Sequence, residues 1–378
     1  MVFLTLIGST ALAQAPEERP TPALSTGTGS QAAPLTRTSQ AVPAGEEAFL
    51  APLATHPADP VGGAYGLWAG AWSWKASFHD GFAFYPFRGA GAPATVGVRW
   101  KTERVAIGDK ELLHGASEPE IQSAEWRCEF RYPGLVEAYD LSAKGVEQSF
   151  VIASRPAGHG DLVVRGRIET LLRAEARAPR HGELLYRDER GEAVVSYGAA
   201  IAFDAAGRKV DVLTGFEGDT LELVVPGAWI EDAVFPVTID PLTAAVTVST
   251  WGATSFGLSS YSAIGRDDES TTKNIMVFYS RQFSATDFDA YSRLCDNDFS
   301  NSGIVFNDIT TSWSTVRAGV ASVAGANRWT LCLQRDFTSS GYSGVRVYVH
   351  DFANTTLNSG TTLFHSIPSG ETHRYPEV

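Results

Sequence analysis

Three features of the sequence predict an all-β protein, with an N-terminal β-sandwich followed by an incomplete β-propeller-like repeat region. Short runs alternate apolar and polar residues, with acidic residues and glycine at the joints between them. Only one short stretch, "PGAWIEDAV", reads as helix. Aromatic residues reach 11% of the chain and are rich in Phe and Trp, which suit a pleated, half-buried surface better than a helix.

A chain of 378 residues exceeds one typical domain, so two domains and a tail are expected. The formal charge of −13 argues against nucleic acid or an anionic membrane as partner, because both require a cationic footprint. Solubility alone accounts for such a surface. The three cysteines, Cys128, Cys295 and Cys332, are too few for a disulfide framework, and none forms a C-x-x-C zinc motif. Cys295 and Cys332 could bridge in an oxidising compartment; two buried thiols is the simpler expectation.

Residues 1–13 read as a signal peptide shortened at its start. The apolar run Val2 to Ile7 precedes Ala11-Leu12-Ala13, an arrangement accepted by signal peptidases, but the basic n-region is missing. A plain hydrophobic segment is the other reading. No later segment is apolar for long enough to span a membrane, so a secreted or cell-surface, extracytoplasmic location is expected.

Residues 14–60 are dominated by Ala, Pro, Thr, Ser and Gly. Such composition cannot bury enough apolar surface to offset the entropy of ordering it, and the stretch reads as a disordered linker. A β-sandwich domain is expected over residues 61–242. Its opening holds Trp68, Trp72, Trp74, Phe78, Phe82, Phe84, Tyr85 and Phe87. These aromatics fall on both parities, so a β-core is favoured over a carbohydrate-stacking platform. Further on, Trp126, Cys128 and Phe130 alternate with Arg127, Glu129 and Arg131. "GDLVVRGRIETLLRAEA" could be helix over its second half, but Leu162, Val164, Gly166 and Ile168 alternate with Val163, Arg165, Arg167 and Glu169, so it reads as strand. Hairpins are expected to turn at 189–191, 205–207 and 217–219, where acidic residues and glycine supply local capping and positive φ.

The segment "AVFPVTIDPL", 233–242, places Phe235, Val237 and Ile239 on one face. Pro241 cannot donate to a ladder and holds Asp240 extended. Asp240 therefore reads as the end of a domain more readily than as a catalytic carboxylate. Together with Gly145 to Phe150, Tyr197-Gly198, Phe203 to Ala205, Gly207-Arg208 and Val225 to Trp229, this segment resembles a β-sandwich module of bacterial secreted and cell-surface proteins. That module ends in a "FPVTIDP"-like strand and precedes repeats or a propeller. The resemblance covers roughly residues 65 to 242, implies a sandwich fold, and carries no catalytic residues.

Residues 243–378 are expected to form propeller-like repeats, about two blades. Arg281-Gln282-Phe283 matches Arg335-Asp336-Phe337, Arg293 matches Arg346, and Asp298-Phe299 matches Asp351-Phe352. "WSTVRAGV" (313–320) resembles the final "ETHRYPEV", giving a period of about 53 to 58 residues. A third unit opens just where the chain stops, which predicts the front part of a longer protein; an open sandwich of the two units is the alternative.

No H-E-x-x-H, G-x-S-x-G, P-loop or dinucleotide fingerprint is found. His79-Asp80 reads as a turn before it reads as a catalytic pair. The candidate metal site is the acidic group Asp287, Asp289, Asp296 and Asp298, with Asn297, whose hard oxygens suit Ca²⁺; the spacing is not that of an EF-hand. Turn capping by the same carboxylates is the competing reading. Two function classes remain. The first is a non-catalytic extracellular protein whose sandwich is a spacer and whose repeats bind protein or carbohydrate. The alternative is the front fragment of a secreted propeller hydrolase such as a glycosidase, with acid and nucleophile converging from several blades.

Overall fold

The computed structural model describes residues 50–55, 66–79, 81–114, 117–246, 262–267, 274–300, 303–323, 328–337, 343–351 and 361–364. The leader and most of the linker read from the sequence lie outside them, as does Asp80. The described residues belong to one compact unit, Thr38–Val378. They form four antiparallel sheets with one five-residue helix, Gly227–Glu231. The all-β prediction therefore holds.

The first sheet has ten strands. Leu50–Thr55, Leu67–Ala71, Trp74–Ser77, Phe82–Pro86, Val98–Ile107, Leu162–Thr170, Thr220–Val225, Leu213–Glu217 and Arg177–Arg180 follow in order, and Lys110–His114 joins Val98–Ile107 beside Phe82–Pro86. Its outer strand, Leu50–Thr55, falls inside the stretch that composition reads as linker. Pro52 is tolerated there because the strand is an edge, and the pairing with Leu67–Ala71 is irregular between Ala51 and Ala54. At that irregularity the Leu53 N–H turns to the carbonyl of Glu125, 3.0 Å away.

The second sheet also has ten strands, with Gly145–Ile152 near its centre. On one side it pairs with Leu135–Ser142, which leads to Arg127–Tyr132 and Glu120–Ala124. On the other side two strands share it end to end. Val237–Asp240 lies against Phe150 to Ile152, and Leu242–Ala245 against Gly145 to Glu147. Pro241 marks the join: it has no N–H to give, yet its carbonyl still accepts from Gln148 N at 2.9 Å. Within "AVFPVTIDPL", Val237–Asp240 is thus a central strand that ends at a proline break, and the same sheet continues through Leu242–Ala245.

The two sheets enclose one apolar core. Burial alternates strictly along Thr220–Val225 and nearly so along Leu162–Thr170. Trp74, Phe84, Val105 and Leu223 of the first sheet meet Cys128, Tyr139, Phe150 and Ile239 of the second. The outward residues Arg127, Glu129 and Arg131 form ion pairs with one another on the opposite face. The expected hairpins are present: Gly191, Gly207 and Gly218 take φ of 81°, 79° and 61° at the tips. Asp204 secures the second of them, accepting from the backbone N–H of Ala206, Arg208 and Val234 at 3.0, 2.9 and 3.0 Å. These bonds to the charged form, that from Val234 foremost, hold its carboxyl below the usual range.

The third sheet is a four-stranded meander of Ser262–Arg266, Ile275–Ser284, Asp287–Cys295 and Gly303–Asp308. The fourth repeats that order with Trp313–Val323, Arg328–Phe337, Ser343–Asp351 and Thr361–Phe364. Met276, Phe278 and Phe306 of the third pack on Trp329, Leu331 and Tyr348 of the fourth in a separate core. Gly265 permits the close approach, since a Cβ there would lie 2.6 Å from the Trp329 ring. The motifs Arg281-Gln282-Phe283 and Arg335-Asp336-Phe337 occupy the ends of corresponding strands. Arg293 and Arg346 share corresponding strands too, but not the same level. Asp289 stands opposite Arg281 where Gly344 stands opposite Arg335, so Tyr348 is the residue level with Arg293.

Candidate functional site

The charged residues that matter most are gathered where the first sheet meets the third. A small apolar cluster of Ala51, Trp68, Tyr291 and Ile309 lines this junction. Backbone bonds cross it from Gly89 N to Phe283 O (3.0 Å) and from Ala285 N to Ala92 O (2.8 Å). At its centre lies Lys75, with 0% exposure. Its strand is buried along its whole length, because one side faces the sandwich core and the other faces the third sheet.

Asp287 and Asp289 meet Lys75 there. Separated by two positions on one strand, they point to the same face. Lys75 Nζ donates to Asp287 Oδ2 at 2.8 Å, to Asp289 Oδ1 at 2.7 Å and to the Thr310 carbonyl at 2.8 Å, so all three ammonium protons are used. Thr95 Oγ1 donates to Asp287 Oδ2 at 2.5 Å and lies 3.1 Å from Ser284 Oγ. The Phe283 ring covers the ammonium at 4.3 Å. Beside it the guanidinium of Arg281 stacks 4.2 Å over Phe87 and 5.5 Å over Trp72.

Two carboxylates share one ammonium in a space closed to water. Burial disfavours every charge here, yet Asp287 and Asp289 together outweigh it for Lys75 and raise its pKa, keeping it ionised. Asp289 moves the other way for a carboxylate, pushed up to about 7 by burial and by the neighbouring Asp287. Two oxygens, Asp287 Oδ1 and Asp289 Oδ2, are buried with no hydrogen-bond donor.

The four acids read as a calcium candidate are therefore split. Asp287 and Asp289 are joined by Lys75, whereas Asp296 and Asp298 lie in the turn beyond the far end of the strand. At about 3.3 Å rise per residue, Asp289 and Asp296 are roughly 23 Å apart. Asp298 Oδ1 accepts from the Ser300 hydroxyl and from Ser300 N at 2.9 Å, which caps the turn, and these two bonds, the hydroxyl's first, lower the Asp298 pKa. Asp287 and Asp289 open the regular strand Asp287–Cys295, and Asp296 and Asp298 follow it. Among the described residues, no three His, Cys, Asp or Glu side chains converge as metal ligands.

Two other buried polar clusters were not legible beforehand. Inside the sandwich, Glu137 accepts from Trp100 Nε1 (3.0 Å), Thr102 Oγ1 (2.7 Å), Gln148 Nε2 (2.8 Å) and the Tyr139 hydroxyl. Tyr197 extends this network by donating to Gln148 Oε1 at 2.8 Å. Burial raises the Glu137 pKa against the pull of those donors. Between the third and fourth sheets, Asp308 binds Arg335, Trp313 Nε1 (3.0 Å) and Thr315 Oγ1 (2.6 Å). A cleft of about 630 Å³ opens on the first sheet beside Arg165, Arg177, Pro179, Phe216 and Glu222. Three of its polar side chains are committed: Arg165 pairs with Glu222, and Arg177 donates to the carbonyls of Gly182, Glu183 and Thr214.

The three thiols, Cys128, Cys295 and Cys332, are buried and form no disulfide. Of the aromatics of the opening segment, Trp74, Phe78, Phe82 and Phe84 are buried in the sandwich core. Trp68 and the half-buried Tyr85 belong to the apolar cluster at the junction, and Trp72 and Phe87 lie there beside Arg281. Comparison with protein-family models, with curated proteins and with solved structures finds no match for this chain.

Proposed function

We propose that this chain is a non-catalytic extracytoplasmic protein. In this reading the sandwich is a rigid mount, and the four-stranded sheets are propeller-like repeats that offer a binding surface to protein or carbohydrate. The observation that carries it is the use made of the buried charges. Lys75 with Asp287 and Asp289, and Arg335 with Asp308, each tie one sheet to the next and are closed to solvent. Groups committed in this way brace a scaffold. A glycoside hydrolase requires two carboxyl groups flanking an open cleft where a sugar can sit, and the space between Asp287 and Asp289 is filled by a lysine. The secretory location rests on the N-terminal sequence, and the repeat reading on the matched motifs and on the shared strand order of the two small sheets.

The test is a glycan and extracellular-protein binding screen of the full chain beside a hydrolase substrate panel. Saturable binding without turnover is expected. Robust turnover abolished by replacing a single carboxylate would overturn the reading in favour of the hydrolase.

A further inference from the structure

We propose that Lys75 and Asp287 become joined by an intramolecular amide bond that welds the first sheet to the third, with Asp289 carrying the protons. This goes beyond the scaffold reading and does not depend on what the protein binds.

The geometry supplies what such a condensation needs. The Lys75 nitrogen is in direct contact with the carboxyl of Asp287, 2.8 Å from Oδ2, with no group between them. Both residues sit in regular strands, and two backbone bonds, from Gly89 N to Phe283 O and from Ala285 N to Ala92 O, tie the segments that lead to them. Holding two reactants at contact in one orientation replaces a bimolecular encounter by a unimolecular step. Lys75 is shut off from water at 0% exposure, and Phe283 lies over its nitrogen. The reaction expels water, so a dry pocket favours the product and protects it from hydrolysis.

The step balances within the three side chains. The Lys75 ammonium passes one proton to Asp289 Oδ1, 2.7 Å away. The freed lone pair attacks Cγ of Asp287 and the C–N bond forms. The Cγ–Oδ2 bond breaks, and that oxygen leaves as water with two protons, one returned by Asp289 and one from the nitrogen. Thr95, which already donates to Oδ2, stabilises the departing oxygen. No oxidant or cofactor enters, and Asp289 ends as it began. Burial, by raising the affinity of Asp289 for a proton, suits it to this relay.

The product also resolves the two orphaned oxygens. Asp287 Oδ1 becomes the amide carbonyl. After the step, with the ammonium gone, Asp289 takes up one further proton from solvent and can donate it to that carbonyl. The remaining amide N–H keeps the Thr310 carbonyl as its acceptor. The ion-paired form, in contrast, leaves Asp287 Oδ1 and Asp289 Oδ2 buried without donors.

The experiment is mass spectrometry of the purified full chain, denatured, followed by tryptic peptide mapping. The expected result is a mass short by one water, with a branched peptide linking Lys75 to Asp287 and no cleavage after Lys75. Asp287→Ala and Asp289→Asn should both restore the full mass of their sequences. A wild-type chain of full mass, with Lys75 open to an amine label after denaturation, would overturn the proposal irrespective of how any variant folds. A branched peptide that maps to Asp289, or one that persists in Asp289→Asn, would overturn the assignment of roles.

Discussion

Arg335 grips Asp308 with two parallel bonds, Nε to Oδ2 at 2.8 Å and Nη2 to Oδ1 at 2.9 Å, while its guanidinium carbon lies 4.3 Å over the Trp313 ring. Asp308 ends the last strand of the third sheet and Arg335 belongs to the fourth, so the fork is an inter-sheet joint. Its planar geometry is one that lysine cannot reproduce. Arg335→Leu takes the paired guanidinium from a buried Asp308 carboxylate. We expect a loss of about 3–5 kcal/mol in urea unfolding of the unit that contains both sheets. Arg335→Lys should recover only part of it.

The Glu137 network predicts a pH effect of definite sign. Burial raises its pKa in the folded state above the unfolded value, so the folded protein binds the extra proton. Its contribution to stability is present below the unfolded pKa and is lost as pH rises through the folded one. Glu137→Gln removes that slope. The Gln carbonyl can keep the donors on Oε1, and its NH₂ can donate to the Thr102 hydroxyl, which itself accepts from Trp100. Unfolding free energies of wild type and variant should therefore diverge in favour of the variant as pH increases from acid towards neutral. Divergence in the opposite direction contradicts the assignment.

Glu137→Leu has a different cost. It takes the acceptor from the Tyr139 hydroxyl and from the Thr102 hydroxyl, and the shorter of two acceptors from the Gln148 amide, in an apolar core, while the Trp100 indole N–H keeps Thr102. Each buried donor left alone costs about 1–3 kcal/mol, so this variant should fall well below Glu137→Gln in chemical denaturation at any pH.

The cysteines should behave as core side chains. Burial pushes the Cys128 thiol up to about 12 and raises Cys332 as well, so neither is thiolate at neutral pH. Titration with a thiol reagent should show no rapid reaction in the folded protein and reaction of all three thiols after unfolding.

Much of the sandwich was readable because its rules are local. The strand Leu162–Thr170 follows from alternation alone, and the tips at Gly191, Gly207 and Gly218 follow from the demand for positive φ. The short helix was announced by Pro226, and Arg155 completes it by donating to the carbonyls of Ile230 and Ala233. The strand Leu50–Thr55 was hidden because its neighbours in sequence are linker-like, and its pairing partner, not its composition, makes it a strand. The junction was hidden for another reason. Asp287 and Asp289 were visible as acids, but their partner lies 212 positions away from Asp287, in a run read for its aromatics. One signal was available: Lys75 is the single charged residue between Leu67 and Phe78, where a charge must be paired or exposed.

The central claim is that Lys75 braces the third sheet against the sandwich, whether through the ion pair or through the amide. Hydrogen–deuterium exchange on wild type and Lys75→Met tests it most directly. The account predicts faster exchange in Ile275–Ser284 and Asp287–Cys295, with protection in Leu162–Thr170 and Thr220–Val225 unchanged. Wild-type protection throughout the third sheet of the variant would contradict it.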